Sequence, residues 1–119
     1  MAASPAEDIS RLYPKNALAE HRQGDGVIRK LLPDPIPGVV IDRMQIPPSG
    51  RIAGVPHMPG TREYLTCESG EILLAVAGEQ SNLSPGDVVV FRGHQRHSSL
   101  CHSNRRDDVC TMAWRMSMA

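Results

Sequence analysis

From Gly26 onward, glycine and proline cut the chain every few residues, and most intervals between the cuts are short apolar runs. Runs of four to eight residues are too short for stable helices and suit strands. Val27 to Leu32 stops at Pro33, Pro35 and Pro37, and Val39 to Ile46 stops at Pro47-Pro48-Ser49-Gly50. Proline cannot donate to a sheet ladder, so each cluster ends a strand. Glu63 to Cys67 turns at Glu68-Ser69-Gly70-Glu71, and Ile72 to Val76 turns at Ala77-Gly78-Glu79. Gln80 to Leu83, Val88 to Phe91, Arg96 to Cys101 and Val109 to Met116 complete about eight strands. Such spacing predicts an all-β sandwich or barrel.

The 119 residues amount to one domain. Only Tyr13, Tyr64, Phe91 and Trp114 are aromatic, so the core has to be aliphatic. Residues 1–25 carry weak signals: Met1 to Asp8 is a small-residue tail, and Lys15 to Arg22 predicts two helical turns ended by Gly24. The organisation expected is a tail or short helix over 1–25 and a barrel domain over 26–119.

Thirteen basic and thirteen acidic residues cancel, so no electrostatic footprint for nucleic acid is expected. Arg105-Arg106 is offset by Asp107-Asp108 and reads as a solvated loop. The chain has neither a run long enough to span a membrane nor a signal-peptide core. Three cysteines, Cys67, Cys101 and Cys110, form an odd set without a Cys-x-x-Cys unit. That pattern argues against a disulfide framework and for the cytoplasm.

Strand parity predicts what faces inward. If Glu63 points in, Leu65 and Cys67 follow, while Arg62 and Tyr64 point out. Leu65, Cys67, Ile72, Leu74 and Val76, with Met44 or Ile46, form an apolar lining, and Cys101 shares the face of His97. An apolar wall with polar groups at one end suits a small ligand, so Leu65, Cys67, Leu74, Val76 and Cys101 are the candidate ligand contacts; the other reading of this lining, in so narrow a barrel, is filled core. Met112, Trp114 and Met116 share one face and either pack the core, the favoured expectation, or border the pocket. Ile72 to Ala77 and Val88 to Phe91 are apolar on both faces, which implies cover on both sides and predicts a homodimer.

The chemistry sits in His57-Met58-Pro59-Gly60-Thr61-Arg62-Glu63 and in His97. Two imidazoles and a carboxylate brought together by strands suit a divalent transition metal: iron, manganese, nickel or zinc. The other reading is a polar cluster in a barrel mouth, its His and Glu hydrogen-bonded together. Cys101, four residues beyond His97, is about 13 Å away at strand rise and reads as a small buried hydrophobe.

The series His57-x-Pro-Gly-Thr-x-Glu63, Gly70, Gly78-Glu79, Pro85-Gly86-Asp87 and His97 resembles the cupin superfamily. Pro59 stands where the first cupin motif has its second histidine, and Cys101 where the second motif has asparagine. The resemblance implies a double-stranded β-helix, or jelly-roll, barrel with His57, Glu63 and His97 as metal-ligand candidates. Ile28-Arg29-Lys30-Leu31-Leu32-Pro33 and Pro48-Ser49-Gly50 extend the likeness to the C-terminal cupin domains of XRE-type transcriptional regulators. It covers about Gly26 to Met116. It implies an effector-sensing domain, with or without a metal. The alternative is a metal-dependent cupin enzyme, an oxygenase or isomerase, with the same three residues holding the metal.

Overall fold

The computed structural model describes residues 10–102 and 108–118. The tail Met1 to Asp8 and the Arg105-Arg106-Asp107 cluster lie outside the described residues. Among the described residues ten strands form two antiparallel sheets: β1 (Glu20–Gln23), β2 (Gly26–Lys30), β3 (Val39–Ile46), β4 (Arg51–Ala53), β5 (Thr61–Ser69), β6 (Ile72–Val76), β7 (Glu79–Leu83), β8 (Val88–Arg92), β9 (His97–Cys101) and β10 (Cys110–Met118). One sheet has the order β1-β2-β3-β10-β5-β8 and the other β4-β9-β6-β7. The all-β jelly-roll expectation holds.

Alternation builds the core. Along β5 the even-numbered residues face out while Thr61, Glu63, Leu65 and Cys67 are buried; along β3 Asp42, Met44 and Ile46 are buried. Strand β10 lies between β3 and β5 and pairs with both, so its inward Met112 and Trp114 sit mid-core. Ile72 and Leu74 close the core from the facing sheet.

Two expectations are corrected. Lys15 to Arg22 does not make two helical turns: a single 3₁₀ turn spans Lys15–Ala17, and Glu20–Gln23 pairs with β2 as a strand. Residues with adequate helix propensity yield here to a tertiary ladder, because propensity is a weak prior. The argument against a disulfide also fails: Cys101 and Cys110 are bonded, with their Cα atoms 5.6 Å apart. An odd count leaves one cysteine over; it does not prevent two from pairing. The leftover is Cys67, buried, its thiol directed at the Gly70 carbonyl 3.4 Å away. The bond ties the end of β9 in one sheet to the start of β10 in the other. β8 is an edge strand of the six-stranded sheet, and the described residues leave its outer face uncovered: Val88 is 62% and Val90 53% exposed.

Candidate functional site

One mouth of the barrel holds a cavity of about 180 Å³. Its apolar wall includes Ile28, Met44, Ile52, Leu65 and Trp114, and its polar groups include Asp42, His57, Glu63, His97 and Ser99.

Glu63 points inward from β5 and is fully buried. Its Oε1 accepts a 2.8 Å hydrogen bond from the indole N–H of Trp114. His97 Nε2 lies 3.6 Å and His57 Nε2 4.0 Å from the same oxygen. The sequence therefore brings together the three residues it singled out, but around an oxygen already engaged by a fourth. Burial pushes the Glu63 carboxyl above its usual range, against the Trp114 hydrogen bond and the field of His57.

His97 opens β9. Its Nδ1 is 3.2 Å from the carbonyl of Gln95, an acceptor, so Nδ1 carries the ring proton and Nε2 faces the cavity. Burial lowers its pKa, with the Gln95 contact opposing. Phe91 packs against the ring at 4.8 Å between centroids. Gly54 makes room for it: a Cβ there would overlap the imidazole at Nε2.

His57 lies in the loop between β4 and β5, and backbone bonds fix that loop. The His57 N–H donates to the Gly93 carbonyl at 2.7 Å, and the Gly93 N–H donates to the Thr61 carbonyl at 3.0 Å. A side chain at Gly93 would strike the Thr61 hydroxyl, so glycine permits this close approach. The loop sets the His57 ring near-parallel to Trp114, at 6.0 Å and 28°.

Of the candidate ligand contacts, Leu65 lines the cavity. Cys67 and Leu74 are in the packed core, Val76 packs against it, and Cys101 is in the disulfide. Ser99, two residues along β9 from His97 and on the same face, lines the cavity between those levels. Two cavity roles of consequence were missed. For Trp114 packing is the favoured expectation; it does pack the core, and it also borders the cavity and holds Glu63. Asp42 is 5% exposed, and its Oδ1 accepts no hydrogen bond. Its parity with Met44 and Ile46 was the available signal.

The donor set has the right chemistry for a transition metal, yet the arrangement does not fit one. Among the described residues no group of three or more His, Cys, Asp or Glu side chains is placed to hold a metal ion. Glu63 Oε1, the atom both imidazoles approach, takes the indole proton instead.

The sequence matches the Cupin_2 family, described as a cupin domain, over residues 42–114. The chain belongs to the cupin domain family. Its fold is similar to the Cupin_2 domain of an XRE family transcriptional regulator from Enterobacter cloacae, at 22% identity and a TM-score of 0.72, over 80% of this chain and 98% of that one. An HTH_3 family transcriptional regulator from Vibrio cholerae matches at 17% identity and a TM-score of 0.68, over 80% of this cupin chain but 52% of its own length. The polyketide cyclase RemF from Streptomyces resistomycificus matches at 15% identity and a TM-score of 0.66, over 92% of this chain and 80% of that one. These likenesses establish the cupin fold, which hosts both regulators and enzymes. No curated protein matches the sequence. Among the described residues no helix is long and apolar enough to cross a membrane.

Asp42 gives the site a pH signature. Burial raises its pKa above the ordinary 3.8, against the opposing fields of Lys30 and His21. A raised folded-state pKa contributes stability that is fully present below the ordinary value and is lost as pH rises through the raised one. Asp42→Asn removes that loss. The variant is expected to melt higher than wild type at neutral pH, with the gap closing as pH falls toward about 4. Melting curves by circular dichroism across that range check it; a gap that stays constant with pH would contradict the assignment.

Proposed function

We propose that this cupin domain binds a small organic effector directly through its side chains and serves as the sensor module of XRE-type transcriptional regulation. The observation that carries the reading is the cavity, with its aliphatic and indole wall and its polar groups gathered at one end. That is the general design of small-ligand sites. At about 180 Å³ it is smaller than the roughly 300–1,000 Å³ of drug-sized pockets, so the effector is a small metabolite. The Enterobacter cloacae domain, similar along nearly its full length, supports the regulatory setting.

Gly54 supplies the test. Gly54→Val directs a side chain into the His97 ring and the cavity, while the backbone there needs no left-handed conformation. In a thermal-shift screen of small metabolites, at least one chemical class is expected to raise the wild-type melting temperature and to leave Gly54→Val unmoved. Equal shifts in both proteins would place binding elsewhere and defeat the reading.

The sensor works as a homodimer in this reading. Val88 and Val90 form an exposed apolar row on edge strand β8, beside Tyr64, which is opposite Val90 on β5. Exposed contiguous apolar surface of this kind marks protein contacts. Size-exclusion chromatography with light scattering is expected to give a dimer for wild type and a monomer for Val88→Lys/Val90→Lys. A wild-type monomer would contradict it.

The alternative, a metal-dependent oxygenase or isomerase, is favoured by one observation, the convergence of His57 and His97 on Glu63. It requires these side chains to turn onto one ion, with Trp114 releasing Glu63. Elemental analysis of purified protein decides between the readings. Stoichiometric iron, manganese, nickel or zinc that disappears in His97→Ala would establish the alternative.

A further inference from the structure

We propose that the cavity is selective for a small amine, its ammonium group received by Asp42. This rests on the effector-binding reading and names the chemical class of the effector.

Asp42 is the group without an assigned task. It sits on β3, across the β3–β10 ladder from Trp114, and faces the cavity. Its side chain is more than nine-tenths buried and Oδ1 has no donor. A buried carboxylate oxygen left unpaired costs about 1–3 kcal/mol or more, so natural sites seldom keep one without a purpose. Glu63, the second carboxylate of the cavity, differs in having the Trp114 N–H on its Oε1. Its other oxygen lies on the side of Gly93, close to where a Cβ there would sit.

Charge then selects the ligand. Two carboxylates line the cavity, and no lysine or arginine does. Lys30, the cross-strand partner of Asp42 on β2, is exposed, and its field reaches Asp42 from an adjoining depression that both residues border. A carboxylate or phosphate ligand would thus enter a cavity with two carboxylates and no lysine or arginine on its wall, while an ammonium meets an acceptor that lacks a donor. Charge-assisted N–H···O bonds are the stronger kind. The Trp114 wall adds a ring face that attracts cations. The aliphatic wall of Ile28, Met44, Ile52 and Leu65 accommodates a short hydrocarbon body.

The probes are n-butylamine, sodium butyrate and 1-butanol, alike in length and different in head group. The reporter is the indole N–H resonance of Trp114, the chain's single tryptophan, in a proton–nitrogen correlation spectrum. n-Butylamine is expected to shift it saturably, and Asp42→Asn is expected to bind roughly tenfold to a hundredfold more weakly. Asp42→Asn carries a neutral isostere at a buried position, so it folds. A shift by butyrate or butanol that exceeds the amine's would overturn the amine assignment and leave the effector cavity standing. Unchanged amine affinity in Asp42→Asn, or no response to the amine, would also overturn it. If the metabolite screen with Gly54→Val fails as well, the effector reading falls with it.

Discussion

Trp114→Phe is expected to lower stability by about 3 kcal/mol, the largest effect of any single substitution at the cupin site. The change keeps an aromatic ring in the core and deletes one N–H. That N–H is the donor to Glu63 Oε1, at 2.8 Å in a fully buried setting, and Oε2 already has no partner. Without it the carboxyl group is buried with neither oxygen satisfied. A variant without any carboxyl escapes the penalty, so Glu63→Met/Trp114→Phe should lose less than the two single substitutions summed. Urea denaturation of the four proteins closes the cycle. Additive losses would show that the indole contributes packing alone.

Loss of the Cys101–Cys110 bond is the second large effect. The bond closes a loop across a sequence separation of 9. The chain-entropy relation gives about 2.5 kcal/mol for a loop of that size, and both sulfurs leave a packed core. Cys101→Ser/Cys110→Ser is therefore expected to melt about 10 °C lower than the oxidised protein. Reductant should move wild type the same way without moving the variant. Because the bond cross-links the end of β9 to the start of β10, the loss should show as broadened signals around those strands before the rest. A melting temperature indifferent to reductant would contradict the pairing.

The strands that could be read from the sequence were those with a buried face. β2, β3, β5, β6, β8 and β10 carry alternating or continuous apolar residues between Gly and Pro turns, β7 and β9 are marked off by the turns around them, and the jelly roll follows from the spacing. β1 could not be read: Glu20-His21-Arg22-Gln23 has no apolar residue, and its pairing depends on β2 across Gly24-Asp25. An anchor from outside the local sequence helps hold that hairpin, where the Asp25 N–H donates to the Arg51 carbonyl and Asp25 Oδ2 accepts from the Arg51 N–H. β4, only Arg51–Ala53, is too short to show a period.

The site divides along the same line. His57, Glu63 and His97 were legible because their spacing resembles the cupin motifs, and the fold gathers them. The depth at which lining ends and core begins was not legible. Parity places Leu65 and Cys67 on one face, but two residues along a strand separate a cavity wall from packed interior, and only the facing sheet decides where. The roles of Trp114 and Asp42 were not legible for a related reason. Each is an inward residue between apolar neighbours, and what distinguishes them is a partner or the lack of one: Glu63 for the indole, no donor for Asp42 Oδ1.

The most direct test of the effector cavity is where bound molecules sit. Compounds that stabilise the protein should be titrated into isotope-labelled wild type, following the Trp114 indole together with the methyl groups of Val88 and Val90. The cavity account predicts saturable shifts of Trp114, Met44, Ile52 and Leu65, and no comparable change on the outer face of β8. Saturable shifts confined to Val88 and Val90, with Trp114 unmoved, would contradict it.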